Sequence, residues 1–289
     1  MTSHHLHLQH ERLFADNRFV YPVLSRRSNG ISLGVNLNPD KICNFDCIYC
    51  QVDRTRQSEV EFVDTEMLLG EMDATLRLIT SGEIYATQKF LSTPAHLRRL
   101  NDIAFSGDGE PTTYRNFDEI MAGCAEIKDR HGLDNVKMVL ITNASMLHRE
   151  HVQRGLEILD AHQGEIWAKL EAGTDQYFQL VERTPIPFAQ ILENITEAAR
   201  IRPLVIQALF MCIHDEPPPQ AELEAFCGRL KDIVAAGGRI KLVQVYTIAR
   251  RPTERFVSPL GDNQIDAIVA LVRMTTSLPA KGFYESTPH

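Results

Sequence analysis

The stretch "GISLGVNLNPDKICNFDCIYC", residues 30–50, joins an apolar run to a loop that holds three of the six cysteines in the chain. Residues 30–37 are rich in aliphatic side chains and predict a strand. Cys43, Cys47 and Cys50 follow after that strand has ended. Ligands of parallel α/β folds bind in the loops at the carboxyl ends of strands. This stretch therefore sets the expectation for the fold and for the site.

The rest of the chain alternates between strand-like and helix-like segments. Five further β-type runs lie at residues 102–107, 137–143, 165–172, 204–212 and 239–247. The segments between them carry apolar residues near the 3.6-residue period and predict helices. Such alternation indicates parallel strands joined by crossover helices. We predict an α/β fold, a partial (β/α)6 barrel of parallel strands with outer helices; an open doubly wound sheet is the alternative.

Length and composition indicate an ordinary globular protein. We divide the 289 residues into an N-terminal extension (1–29), a core domain (30–276) and a C-terminal tail (277–289). No apolar run approaches the roughly 20 residues of a membrane helix. The first residues also lack the pattern of a secretion signal, so we expect a cytoplasmic protein. The net charge of −8 repels polyanions unless a local basic surface overrides it.

The cysteine spacing points to a metal centre rather than to disulfides. Disulfide frameworks are typical of small secreted domains, and this chain is long. Three thiolates in one loop can bind zinc, copper(I) or an iron–sulfur cluster. A structural zinc site needs four ligands, and no second Cys or His pair follows at a suitable spacing. Three ligands would leave one metal position open. We expect the isolated Cys124, Cys212 and Cys227 to be buried, inert thiols.

"CNFDCIYC" (43–50) resembles the CxxxCxΦC motif of the radical S-adenosylmethionine (SAM) superfamily, with Tyr49 at the aromatic position Φ. The resemblance implies an enzyme whose [4Fe-4S] cluster is bound by Cys43, Cys47 and Cys50. It also implies that SAM binds the open iron and is cleaved reductively to a 5′-deoxyadenosyl radical, which abstracts a substrate hydrogen. The electron would come from a donor such as flavodoxin or ferredoxin. The alternative from another class is a binding protein stabilised by zinc or by an inert cluster.

A second segment, "FSGDGEPT" (105–112), resembles the family's glycine-glycine-glutamate motif. The resemblance assigns the methionine end of SAM to residues Gly107, Asp108, Gly109, Glu110 and Pro111. Glycine permits a close backbone approach, and Glu110 has the negative charge that an ammonium group needs. A plain glycine turn is the alternative. Asp108 departs from the family pattern.

Polar residues also end the third and fourth predicted strands. In the family these edges contact the ribose and carboxylate of SAM, which implies roles for Asn143, Lys169 and Glu171. A turn residue at Asn143 and a structural Lys169–Glu171 ion pair are the alternatives. Gln207 and Gln244 interrupt apolar strands, where they line a substrate cavity or bond within the sheet.

Several arginines follow predicted strands at the same end of the barrel. They could form a cationic rim for RNA or for another phosphate-bearing substrate, and an ordinary solvated surface is the alternative. These arginines are Arg54, Arg56, Arg183, Arg250, Arg251 and Arg255. The segments "SGDGEPT", "AKLEAG", "ERTP" and "VQVYTIARRP" resemble the wyosine-synthase-related branch of the family. That branch implies transfer RNA modification, although this sequence has no second cysteine cluster.

Overall fold

The protein was analysed as a computed structural model that describes residues 14–25, 29–54, 58, 60–250 and 252–284. The chain folds into two compact units, each built from three separate segments. The first unit comprises Met1–Cys43, Gln57–Ile141 and Arg149–Glu165. The second comprises Asn44–Arg56, Thr142–His148 and Ile166–His289.

Parallel strands dominate the first unit. It contains β1 (Val20–Ser25), β2 (Gly30–Val35), β3 (Leu100–Phe105) and all but the last residue of β4 (Lys137–Thr142). β1 pairs with β2 in the antiparallel sense, whereas the β2–β3 and β3–β4 pairs are parallel. The helices are α1 (Thr65–Ser81), α2 (Phe117–Arg130) and α3 (Glu150–Ala161).

Local signals explain where α1 begins and ends. The Asp64 side chain accepts a hydrogen bond of 3.0 Å from the backbone N–H of Met67, which caps the first turn. Gly82 ends the helix with φ of 81°, a left-handed conformation that glycine adopts without strain. Leu68 and Leu76, eight residues apart, are buried on one face.

The second unit holds all but the first residue of β5 (Glu165–Lys169) and the strands that follow it. These are β6 (Leu204–Leu209), β7 (Met211–Ile213), β8 (Ile240–Tyr246), β9 (Val257–Pro259) and β10 (Ala280–Phe283). β5, β6, β8 and β10 pair in parallel in that order, and β7 pairs with β9 in the antiparallel sense. The helices are α4 (Asp175–Glu182), α5 (Phe188–Ile201), α6 (Gln220–Ala235) and α7 (Asp262–Thr276).

The six predicted strands are all present, as β2, β3, β4, β5, β6 and β8. The sequence pattern does not predict β1 or β10, which lie within the expected extension (1–29) and the expected tail (277–289). They contain Pro22 and Gly282, residue types that weaken a strand prediction. Among the helices of the described residues, none is both long enough and apolar enough to cross a bilayer.

A charged cluster at Asp73 joins α1 to the end of α2. The His131 ring nitrogen Nε2 lies 2.9 Å from Asp73 Oδ1, and Arg130 Nη1 lies 3.7 Å from the same oxygen. Arg77, one turn along α1, contacts the other oxygen. The hydrogen bond from His131 and the charges of the arginines hold the pKa of Asp73 below its usual value.

We expect Asp73→Asn to lower the thermal midpoint at pH 7 by a few degrees. Because the folded-state pKa of Asp73 is depressed, its stabilisation is fully present above the unfolded-state pKa of about 4 and is lost as pH falls through the folded value. The difference in thermal midpoint between the variant and the parent should therefore become smaller at low pH. Thermal unfolding from pH 7 to pH 3 measures it, with the exposed Glu126→Gln as control. A gap of constant size would contradict the expectation.

Candidate functional site

The loop after β2 packs closely on the loop after β3 within the first unit. Asn36 Oδ1 accepts from the backbone N–H of Asp108 at 3.1 Å, and Asn36 Nδ2 donates to Asp108 Oδ2 at 2.7 Å. A Cβ at Gly107 would overlap Asn36, and one at Gly109 would overlap the carbonyl oxygen of Ile42. Neither glycine has a left-handed φ. These glycines therefore permit close contact between the two loops. Asp108 binds Asn36 through both its backbone N–H and its side chain.

Glu110 lies at the start of the short 3₁₀ helix Pro111–Thr113 and is 3% exposed. Its Oε1 accepts from the backbone N–H of Thr112 at 3.1 Å and from the Thr112 hydroxyl at 2.5 Å. The neighbouring Asn38 Oδ1 is buried and has no hydrogen-bond partner among the described residues. The predicted residues Gly107–Pro111 thus form one compact turn that contacts residues 36–42, just before Cys43.

The cysteine loop continues into the second unit, where Asn44 anchors it. Asn143 Nδ2 donates to Asn44 Oδ1 at 2.8 Å, and Asn44 Nδ2 donates to Ser145 Oγ at 2.7 Å. Asn143 Oδ1 in turn accepts from the backbone N–H and the hydroxyl of Ser145, at 3.0 Å and 2.6 Å. The Thr184 hydroxyl donates to the carbonyl of Asn44 at 3.0 Å. Asn143 is therefore both a turn residue and an anchor of the cysteine loop.

The end of α4 holds the middle of the loop. The backbone N–H groups of Asp46 and Ile48 donate to the carbonyls of Glu182 and Val181, at 3.1 Å and 2.9 Å. The Cys47 thiol donates to Glu182 Oε2 at 2.7 Å. Burial and the Glu182 carboxyl raise the pKa of Cys47, while burial and the Glu171 carboxylate raise the pKa of Glu182.

Tyr49 joins the loop to the ends of β5 and β8. Its hydroxyl donates to Glu171 Oε2, and the Tyr246 hydroxyl donates to Glu171 Oε1 at 3.3 Å. Lys169 Nζ lies 3.4 Å from the Tyr49 oxygen and 5.2 Å from the centre of its ring. Burial alone would favour a neutral amine, but the Glu171 carboxylate raises the pKa of Lys169. Tyr49, Lys169 and Glu171, all of them predicted site residues, thus form one hydrogen-bonded network.

Thr253 and Arg250 bond to the end of the cysteine loop, at Cys50 and Gln51. The backbone N–H and the hydroxyl of Thr253 both donate to the carbonyl of Cys50, at 3.1 Å and 2.7 Å. Gln51 Nε2 donates to the carbonyl of Arg250 at 3.1 Å. Arg54 Nη1 lies 3.4 Å from Cys50 Sγ. Arg250 and Thr253 therefore lie against the cysteine loop.

Two of the predicted arginines form ion pairs with carboxylates. Arg183 Nη1 lies 2.6 Å from Glu254 Oε1 and 3.7 Å from Asp46 Oδ2. Arg54 Nη1 lies 4.0 Å from the other oxygen of Asp46. Arg255 is exposed, and Arg56 and Arg251 lie outside the described residues. The structure brings Arg54 and Arg183 together, but around acids that offset their charge.

The isolated thiols lie elsewhere and are buried, as expected from the sequence. Cys124 is fully buried on α2, and burial raises the pKa of its thiol to about 12. Cys212 and Cys227 are also buried, whereas Cys43, Cys47 and Cys50 are partly exposed; all six are free of disulfides. Within the described ranges, no three His, Cys, Asp or Glu side chains are already gathered as a metal site.

Four residues with contacts to the predicted site did not stand out in the sequence: Asn36, Asn44, Glu182 and Thr253. Asn36 follows directly after β2, so its position at a carboxyl strand end was an available signal. Glu182 belongs to "ERTP", a segment noted for its arginine and for its resemblance to the branch, but not for its glutamate. The pairings of Asn44 and Thr253 involve residues 99 and 203 positions away along the chain, beyond any local sequence pattern.

A family model described as the radical SAM superfamily matches residues 37–218, more than half of the chain. A curated protein from Brachyspira hyodysenteriae named GTPase Obg is 24% identical over 252 residues, which cover 85% of this chain and 32% of that protein. A UPF0026 protein from Helicobacter pylori is 28% identical over 179 residues, covering 61% of this chain and 48% of that protein. The chain thus spans about a third to a half of these relatives.

A solved structure has a similar fold. It is described as TYW1 with a lysine-pyruvate adduct bound, and it matches with a TM-score of 0.51 at 12% identity. The match covers 94% of this chain and 81% of that chain. At this identity the likeness concerns the fold alone.

We expect Gly109→Ala to lower the thermal midpoint by several degrees, because the new Cβ would collide with the backbone carbonyl of Ile42. The matched control is Gly70→Ala, at a position in the interior of α1 where a Cβ meets no atom within 4 Å. That control should gain stability, by about 0.5–1 kcal/mol. Thermal unfolding of both variants measures the contrast. Equal stability of the two variants would disprove the close packing at Gly109.

Proposed function

Because the chain belongs to the radical SAM superfamily, an enzyme class, we propose that it cleaves SAM reductively at a [4Fe-4S] cluster and uses the 5′-deoxyadenosyl radical to abstract a substrate hydrogen. Family membership confirms the fold class predicted from the sequence, an α/β partial barrel of parallel strands with outer helices. Members of this family use a [4Fe-4S] cluster and SAM. The fold likeness to TYW1 agrees with the predicted wyosine-synthase-related branch.

The observation that carries the proposal is the contrast between two sets of thiols. Cys43, Cys47 and Cys50 form no disulfide, are partly exposed and lie in the loop that follows β2. The three other thiols are buried. Soft thiolate ligands suit iron–sulfur clusters, and three of them leave an iron open for SAM. We assign the three loop cysteines as the cluster ligands, with an external donor such as flavodoxin or ferredoxin as the electron source.

We assign the methionine end of SAM to the turn Gly107–Pro111. The glycines permit the backbone of this turn to approach a ligand closely, as it already approaches Asn36 and Ile42. Glu110 is the acid that would bind the methionine ammonium, and its Oε1 accepts from Thr112 in this structure. We assign the rest of SAM to Tyr49, Asn143, Lys169 and Glu171.

Glu182 is the residue that must respond when the cluster binds. A cysteine binds iron as a thiolate, so Cys47 must lose the proton that it now donates to Glu182. Glu182 then loses this partner and keeps Glu171 and Lys169 as neighbours in its electrostatic environment. The positive charge of Lys169 would offset part of the negative charge that the thiolate adds.

We expect the anaerobically reconstituted parent to hold about four irons and four sulfides per chain and to form 5′-deoxyadenosine from SAM and dithionite. Cys47→Ala should lose both properties because one ligand is missing. Cys124→Ala, which removes a buried thiol of α2, should retain both. Iron, sulfide and zinc analysis together with chromatography of the nucleoside products measures the outcome. Bound zinc without SAM cleavage would instead favour the metal-stabilised binding protein.

Transfer RNA modification is the substrate proposal that the sequence motifs suggest. The observed ion pairs argue against a large arginine contribution to RNA binding, because Asp46 and Glu254 offset the charges of Arg54 and Arg183. We therefore expect transfer RNA to bind with a shallow salt dependence, equivalent to about one or two phosphate contacts. Filter binding across a range of salt concentrations measures the slope, with Arg255→Ala to test the exposed cation. A steep slope would instead support the predicted cationic rim of arginines.

A further inference from the structure

One face of the sheet in the second unit contains a polar row. Lys169 of β5 pairs in register with Gln207 of β6, which pairs with Gln244 of β8. Paired residues on adjacent strands point to the same face, so these three side chains share it. The preceding row on that face is apolar and consists of Trp167, Val205 and Leu242. The polar row therefore interrupts a hydrophobic interior.

The two glutamines form one hydrogen bond with each other, and one of their acceptor atoms has no partner among the described residues. Gln207 Nε2 donates to Gln244 Oε1 at 3.0 Å, and the residues are 1% and 4% exposed. Gln207 Oε1 is buried and has no partner among the described residues. Buried acceptors are nearly always satisfied, because an unpaired one destabilises the fold. An acceptor that the described residues leave unsatisfied therefore calls for a partner from outside them.

This pair lies beside the residues assigned to SAM. Gln207 is one strand away from Lys169, a spacing of about 4.8 Å. Lys169 contacts Tyr49 of the cysteine loop. In the next row on the same face, Tyr246 bonds to Glu171. The unpaired acceptor thus adjoins the proposed cofactor site on the side of β6 and β8.

We propose that Gln207 and Gln244 form a substrate subsite for the edge of a primary or cyclic amide, in which an N–H lies beside a C=O. The inference rests on the proposed function, since it places the substrate next to SAM. Gln207 Oε1 accepts from the substrate N–H. Gln244 Nε2 carries two donor hydrogens that the Gln207–Gln244 bond does not use, and it donates to the substrate carbonyl. Because both side chains are uncharged, the subsite selects a neutral group.

Thermal stability distinguishes a substrate-binding role of the two glutamines from a structural role. Replacing both glutamines by methionine, Gln207→Met with Gln244→Met, removes the pair and the unpaired acceptor at similar volume. We expect the thermal midpoint of the cluster-free double variant to stay within about 2 °C of the parent or to rise. The control is Gln179→Met on the exposed side of α4. A fall of more than about 5 °C in the double variant alone would show a structural pair and overturn the proposal.

Binding of a simple probe tests the chemistry. Uracil offers an N–H beside a carbonyl, whereas 1,3-dimethyluracil has lost the N–H groups. By saturation-transfer NMR on the full chain, uracil should bind the parent, 1,3-dimethyluracil should not, and the double variant should bind uracil at least about tenfold more weakly. Absence of uracil binding, or equal binding by parent and double variant, would overturn the proposal.

The two proposals fail in different ways. Normal cluster content and SAM cleavage without uracil binding would refute the amide subsite and leave the proposed function standing. A chain that binds no iron would refute the proposed function. The melting curves and the uracil titrations are therefore recorded on the cluster-free chain as well as on the reconstituted one, so that they decide the subsite in either case.

Discussion

The predicted site in the second unit depends on two backbone hydrogen bonds at the end of α4. The carbonyls of Val181 and Glu182 lie in the last turn of a helix, where carbonyls have no partner within the helix. Ile48 and Asp46 of the cysteine loop donate to them. The loop thus completes the helix end, and this fixes the positions from which Cys47 and Tyr49 extend. Asn143 and Thr253 hold the two flanks of the same loop.

This anchoring places polar groups in a buried environment that must stay close to electrical neutrality. Glu171, Glu182 and Lys169 lie together, and an uncompensated charge would be strongly disfavoured there. Burial raises the pKa of Glu182, which favours its neutral form, while the neighbouring Glu171 raises the pKa of Lys169 and favours its charged form. A thiolate ligand would change this balance. Cofactor binding and the protonation of these acids are therefore linked.

Opposite charges also compensate each other around the arginines. Their clustering in sequence near strand ends suggests a cationic rim, but the fold also brings Asp46 and Glu254 to Arg54 and Arg183. Exposed pairs of this type contribute little to stability. Their effect is instead to offset positive charge beside the cysteine loop, in keeping with the acidic total of the chain.

The sequence alone determined the alternation of strands and helices, because hydrophobic periodicity is a local property. It also determined the cysteine trio, since the spacing of Cys43, Cys47 and Cys50 within one loop is itself the chemical signal. Only the tertiary structure decided which residues meet that loop. Glu182, Thr253 and Tyr246 lie far from it in sequence, and their contacts follow from where helix and strand ends converge. Likewise Gln207 and Gln244 are ordinary interruptions of two strands until the register of β6 and β8 places them side by side, with Gln207 Oε1 left without a partner in the described part of the chain.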